Sequence, residues 1–156
     1  MQLQLVLVGK TSIDWVQQAV VDYEKRIKRQ VNFSMLIIPE VKQAAKMPEE
    51  VRKKKEGEKI LQVVGESYLV LLDEGGKMLS SMDFATKLNA WFNASYRSVC
   101  FVVGGPYGFS DEVYRRANEQ LSLSRMTFSH QLVRAIFMEQ LYRGLSILNG
   151  DPYHHE

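Results

Sequence analysis

The stretch Ser98-Val-Cys-Phe-Val-Val103, running straight into Gly104-Gly-Pro-Tyr-Gly108, decides how the chain folds. An unbroken apolar run closed by turn residues marks a strand buried on both faces, as in parallel sheets covered by helices on each side. Tyr68-Leu-Val-Leu-Leu72 has the same character, and Gln2 to Val8, ended by Gly9, is another buried strand. Phe33 to Ile38 ends at Pro39, and Leu121 to Phe128 gives the last strand with the loop after it. Helical patterns lie between. Thr11-Ser-Ile-Asp14 offers capping oxygens ahead of Trp15, Ala19, Val20, Tyr23 and Ile27. Glu49 to Val64 carries Val51, Ile60, Leu61 and Val64 as apolar positions, with Gly57 weakening the middle. Asp73-Glu-Gly-Gly-Lys77 reads as a loop, and Ser80-Ser81 caps a helix through Trp91 and Phe92. Ser110-Asp-Glu112 caps a short helix, and the final helix covers about Gln131 to Leu148, closed by Gly150. This alternation, without repeat or linker, predicts one α/β domain over residues 1–156, a mostly parallel sheet with helices on both faces.

Composition narrows the function. The chain has 156 residues, 46% hydrophobic and 24% charged, with 20 basic residues against 18 acidic. That balance excludes a disordered chain. A single cysteine, Cys100, excludes a disulfide framework, and one Cys with three His offers no zinc set, so no metal is expected. No apolar run suits a membrane helix, and the alternating N-terminus lacks the basic start of a signal peptide, so a cytoplasmic location is expected. The charge is unevenly spread: residues 24–59 hold 11 Lys/Arg and 6 Asp/Glu, a local +5 within a net +2. Lys25-Arg-Ile-Lys-Arg29 and Arg52-Lys-Lys-Lys55 read either as solvated helix faces or as phosphate-contacting surface.

Ligands in open α/β sheets bind beyond the carboxyl ends of the strands. Three distinctive loops lie at such ends, Asp73–Lys77, Gly104–Phe109 and Leu123–His130. The glycine turn is neither the dinucleotide fingerprint nor a Walker loop. Cys100, inside an apolar strand, reads as a packed thiol, and no nucleophile elbow occurs. His130 caps or shapes its loop, while His154 and His155 sit in a short tail. A reaction whose cofactor brings its own electrophile fits this set better than hydrolysis. The last helix is apolar almost all round, from Leu132 and Val133 through Ile136 and Phe137 to Leu145 and Leu148. It is either a central core helix or one that buries its second face against another copy.

Several motifs occur together: Lys55-Glu-Gly57, Leu71-Leu-Asp73 with Gly76-Lys77, Val103-Gly-Gly-Pro106 with Gly108, Leu121-Ser-x-Ser-x-Met-Thr-Phe128 with His130, Leu141-Tyr-Arg143, and Pro152-Tyr-His154 with Glu156. In this order and spacing they resemble the RlmH family, small SPOUT-class methyltransferases of 23S ribosomal RNA, over the whole chain. The resemblance implies a C-terminal trefoil knot and S-adenosyl-L-methionine as methyl donor. It also implies a homodimer, and as substrate the N3 of a pseudouridine in 23S rRNA on assembled ribosomes. It places the donor at Leu72, Gly104 and the loop Leu123, Ser124, Arg125, Met126, Thr127 and Phe128. It places the catalytic end at Arg143, Tyr153, His154 and Glu156, with His154 in the pKa range of a base. Where the family carries Arg or Lys, this chain has His155. Two rivals stay open: a SPOUT enzyme of another RNA site such as tRNA, and a non-catalytic ribosome-binding module.

Overall fold

In the computed structural model, which describes residues 1–155, β4 (Ser98–Val103) runs through the middle of a five-stranded sheet. The strand order is β2 (Phe33–Ile38), β1 (Gln2–Val8), β4, β3 (Tyr68–Met78), β5 (Glu119–Ser122), and every pairing is parallel. Val99, Phe101 and Val103 of β4 enter one apolar cluster, while Cys100 and Val102 enter a second on the opposite face. The alternation follows from the pleat of a strand covered on both sides. The first cluster is closed by α1 (Asp14–Lys28), α3 (Ser81–Asn93) and α5 (Leu132–Asn149). The second is closed by α2 (Glu49–Val64) and α4 (Asp111–Arg116). The expected α/β architecture is therefore observed, and burial pushes the Cys100 thiol up to about 12, as an inert core residue requires.

Three local readings need correction. Trp15 is 61% exposed, and the buried stripe of α1 is Val16, Val20 and Ile27. Thr11 and Ser12 do not cap α1, because both are engaged by α5. The Thr11 hydroxyl accepts from Arg134 Nη1 at 3.0 Å, and the Ser12 N–H donates to Gln131 Oε1 at 2.8 Å. Val51 is likewise exposed rather than part of the buried side of α2.

A fourth correction bears on the site. Asp73–Lys77 is not a free loop but part of β3, which continues to Met78 after a register shift. Leu72 and Lys77 both pair with Leu121, so the residues between them form an outward bulge. Within the bulge the Gly75 N–H donates to Asp73 Oδ1 at 2.9 Å. Gly76 is obligatory, since a Cβ there would stand 2.6 Å from the backbone of Gln120 and Leu121. Glycines and charges gave this stretch the composition of a loop, yet the missing side chain is what lets β5 approach. β5 itself ends at Ser122, so residues 123–128 leave the sheet as a loop.

A candidate active-site cleft at the carboxyl ends of the central strands

β4 and β5 end beside the bulge of β3, and that bulge with the loops after β4 and β5 encloses a cleft of about 670 Å³. Leu72, Gly104, Leu123, Ser124, Met126, Thr127 and Phe128 all line it. Arg125, within the same loop, is exposed and is not part of the lining. Asp73, Tyr107 and His130, from the three loops expected at the strand ends, complete the walls together with Glu49 of α2 and Val133 of α5, which sequence reasoning missed.

The loop after β4 is shaped by contacts with no room for side chains. A Cβ on Gly104 would lie 2.9 Å from the Phe109 ring, and Gly108 adopts φ +78° to fold the turn back. The Gly108 N–H then donates to the Gly105 carbonyl at 3.2 Å. Phe109 packs edge-on against Tyr114, whose hydroxyl donates to Asp73 Oδ2 at 2.6 Å and so joins this loop to the β3 bulge. Burial, and then the Asp73 carboxylate, push the Tyr114 hydroxyl up to about 12. The loop after β5 is held by its own serines. Ser122 Oγ donates to the Ser124 carbonyl at 2.8 Å, and Ser124 Oγ accepts from the Met126 N–H at 2.9 Å. Ser129 Oγ accepts from the Leu132 N–H at 3.0 Å where α5 begins.

Arg134 ties this end of the molecule together. Its side chain is fully buried, and its guanidinium donates to the carbonyls of Val8 at 2.8 Å, Gly9 at 2.9 Å and His130 at 3.0 Å. With the Thr11 hydroxyl these oxygens solvate a cation that has no carboxylate within ion-pair range among the described residues. One side chain thus fixes both the turn after β1 and the last residues of the cleft loop. Burial lowers the pKa of His130, and Arg134 reinforces the effect, so the imidazole is neutral near pH 7. An arginine amid the apolar run Leu132–Phe137 was the signal that could have found this clamp.

The other predicted residues gather elsewhere. Arg143 donates through Nε to Glu139 Oε1 at 2.9 Å and lies 3.3 Å from His154 Nδ1 through Nη1. Tyr153 donates to Glu139 Oε1 at 3.2 Å, meets the Tyr23 hydroxyl at 3.0 Å, and lies beneath the Arg143 guanidinium at 4.8 Å. Its ring packs against Tyr142 with centroids 4.7 Å apart. Burial first, then Tyr23 and Glu139, raise the Tyr153 pKa, so this phenol stays protonated. Arg143 of α5 is therefore brought together with Tyr153 and His154 of the tail, which folds back against α5 and α1, yet none of the three lines the cleft. Glu156 lies outside the described residues. Glu139, one helical turn before Arg143, is the acceptor that organises the cluster.

Chemically, the cleft offers glycine-loop backbone groups, apolar walls, the carboxylates of Glu49, Asp73 and Glu74, and one neutral imidazole. That set suits a ligand with a planar apolar ring joined to a hydrogen-bonding portion. Among the described residues no cluster of His, Cys, Asp or Glu could hold a metal ion, and no helix is long and apolar enough to cross a membrane.

Comparison with known proteins gives a consistent picture. A family model described as "Predicted SPOUT methyltransferase" matches residues 1–154. The chain is 46% identical over 157 aligned positions to the "Ribosomal RNA large subunit methyltransferase H" of Parabacteroides distasonis, covering 100% of both chains. The proteins of the same name from Flavobacterium johnsoniae and Bacteroides thetaiotaomicron are 45% and 46% identical over equal coverage. Among solved structures, a probable methylase family protein from Haemophilus influenzae superposes with a TM-score of 0.57 at 12% identity, over 99% of this chain and 70% of that one. A probable methyltransferase from Bordetella pertussis gives 0.54 at 10% identity, over 92% and 93%. These two likenesses speak for the fold.

Proposed function

The chain belongs to the SPOUT methyltransferase family, and from that premise we propose that it methylates N3 of a pseudouridine in 23S ribosomal RNA, with S-adenosylmethionine as donor. Large-subunit ribosomal RNA as the substrate class follows the names of its relatives, and the family resemblance points to the N3 of a pseudouridine and to the assembled ribosome as the setting. One observation supports the donor assignment: Leu72 within β3, Gly104 just after β4 and most of the 123–128 loop after β5 wall a single cleft.

The residues present fit the donor. Leu72, Leu123, Met126 and Phe128 would enclose the adenine, and the backbone around Gly104 would meet the ribose and amino-acid portions. Bound there, S-adenosylmethionine supplies an electrophilic methyl group on a sulfonium. The acceptor nitrogen is an imide and must give up its proton, so a base or an anion-stabilising cation is required. His154 takes that proton and Arg143 stabilises the developing anion, while Tyr153 stacks on the base.

That cluster does not line the donor cleft of its own chain, so the reading extends to a homodimer. Leu132, Ala135 and Ile136 of α5 are only partly buried, which supports a second copy covering this helix and bringing its Arg143 cluster to the cleft. The threaded C-terminal crossing expected of the family is supported by the tight passage of Gln120 and Leu121 past Gly76.

The test uses ribosomes from a strain lacking the gene, incubated with purified protein and methyl-labelled donor. Mass spectrometry of the rRNA should show one added methyl on a pseudouridine. Label appearing only in tRNA, or nowhere, would refute the assignment.

A further inference from the structure

The mechanism above makes no use of Lys55-Glu56-Gly57, although Glu56 and Gly57 are the most closely fitted residues of α2. The Glu56 side chain is only 8% exposed. Its Oε2 accepts from Arg52 Nε at 3.1 Å. Its Oε1 lies 2.7 Å from where a Cβ on Gly105 would stand, so the carboxylate is seated against the turn after β4. Arg52 in turn lays its guanidinium over the ring of Tyr107, 5.2 Å from the centroid, and Tyr107 lines the cleft. A buried carboxylate is a costly way to fill space beneath a loop, since an apolar residue of similar volume would do so without desolvating a charge. Burial accordingly raises the Glu56 pKa, with Arg52 opposing the shift. The other charges facing it are Glu40, which adds to the shift, and Lys59, which opposes it. Beyond Arg52, the neighbouring titratable group is His130.

We infer that Glu56 is a positioning residue of the donor site, holding Arg52 over Tyr107 and bracing Gly105 so that the glycine turn keeps its receptive shape. The inference rests on the reading of the cleft as the donor site. Ionised Glu56 pins Arg52; protonated Glu56 releases it. Donor affinity should therefore fall as the pH drops through the raised Glu56 pKa. For stability the sign is opposite: a raised pKa means that the fold loses stability as the carboxylate ionises. Removing the charge should not weaken the fold at pH 7.

Calorimetry of S-adenosylmethionine binding to wild type, Glu56→Gln, Arg52→Gln and the double variant, from pH 5 to 8, decides the matter. Glu56→Gln is expected to raise Kd roughly tenfold or more at pH 7, as a small misplacement of a binding wall does. It should also flatten the acid limb of the profile and leave the melting temperature unchanged or higher. Arg52→Gln should lose a similar factor, and the double variant no more than the worse single one. His130 is common to all four proteins, so differences between profiles report the pair. A Glu56→Gln Kd within twofold of wild type, an acid limb no flatter than that of wild type, or a lowered melting temperature would each overturn the assignment. If wild type itself fails to bind the donor, the donor-site reading falls with it; if wild type binds and only these effects are missing, the role of Glu56 alone falls.

Discussion

Arg134 shows how much a single side chain can organise without touching a ligand. Its guanidinium is solvated by three backbone carbonyls and a hydroxyl, so replacing it with methionine leaves buried acceptors unmatched. At about 1–3 kcal/mol for each stranded group, Arg134→Met should lower unfolding stability by roughly 3 kcal/mol or more in urea titrations. Gly104→Val acts through volume: its side chain meets the ring of Phe109, itself a cleft residue, which must be displaced. Calorimetric binding of S-adenosylmethionine should be lost while circular dichroism keeps its native form; unchanged affinity would move the donor elsewhere. At this scale the sequence was legible where composition sufficed, as for Cys100, and mute where partners come from afar. Nothing local says that Arg134 reaches back across the chain to Val8, or that Glu56 sits under Gly105. Such contacts belong to the tertiary fold, and no periodicity encodes them.

Elements were easier to read than their edges. The buried strands and the long helices follow from apolar runs and caps, such as Ser80 accepting from the Asp83 N–H at 3.0 Å. The β3 bulge escaped because glycine serves equally for a loop and for close strand approach. Gly57 escaped for a related reason. Helix propensity alone says that Gly57→Ala should stabilise α2 by up to about 1 kcal/mol. The structure reverses the sign, since the new Cβ would stand 2.4 Å from Ser110 Oγ and 3.1 Å from Val113 Cγ2. Ser110 is the N-cap of α4, so the clash also disturbs a cap. Thermal melts should show Gly57→Ala destabilised by roughly 1–3 kcal/mol, the usual cost of overpacking.

At the scale of the whole molecule, the proposed donor cleft and the Arg143–Tyr153–His154 cluster occupy different parts of one chain, and sequence motifs could not reveal that separation. A two-chain site makes a quantitative prediction. Gly104→Val and His154→Ala homodimers should each be inactive on ribosomes. Equal mixing with subunit exchange should restore roughly a quarter of wild-type activity, because half the dimers then hold one intact site of two. No recovery would place the whole site within one chain, and a monomer by sedimentation at micromolar concentration would remove the dimer. The position of β1 in the sheet carries a different consequence. It pairs with β2 on one side but with β4 on the other, so its second edge finds no partner until the chain has been synthesised through residue 103. The centre of the sheet cannot form during the first half of translation, and refolding of so non-local a topology should take milliseconds to seconds rather than microseconds. On the proposed function, a protein that acts on ribosomes must thus emerge largely from one before its own core can close.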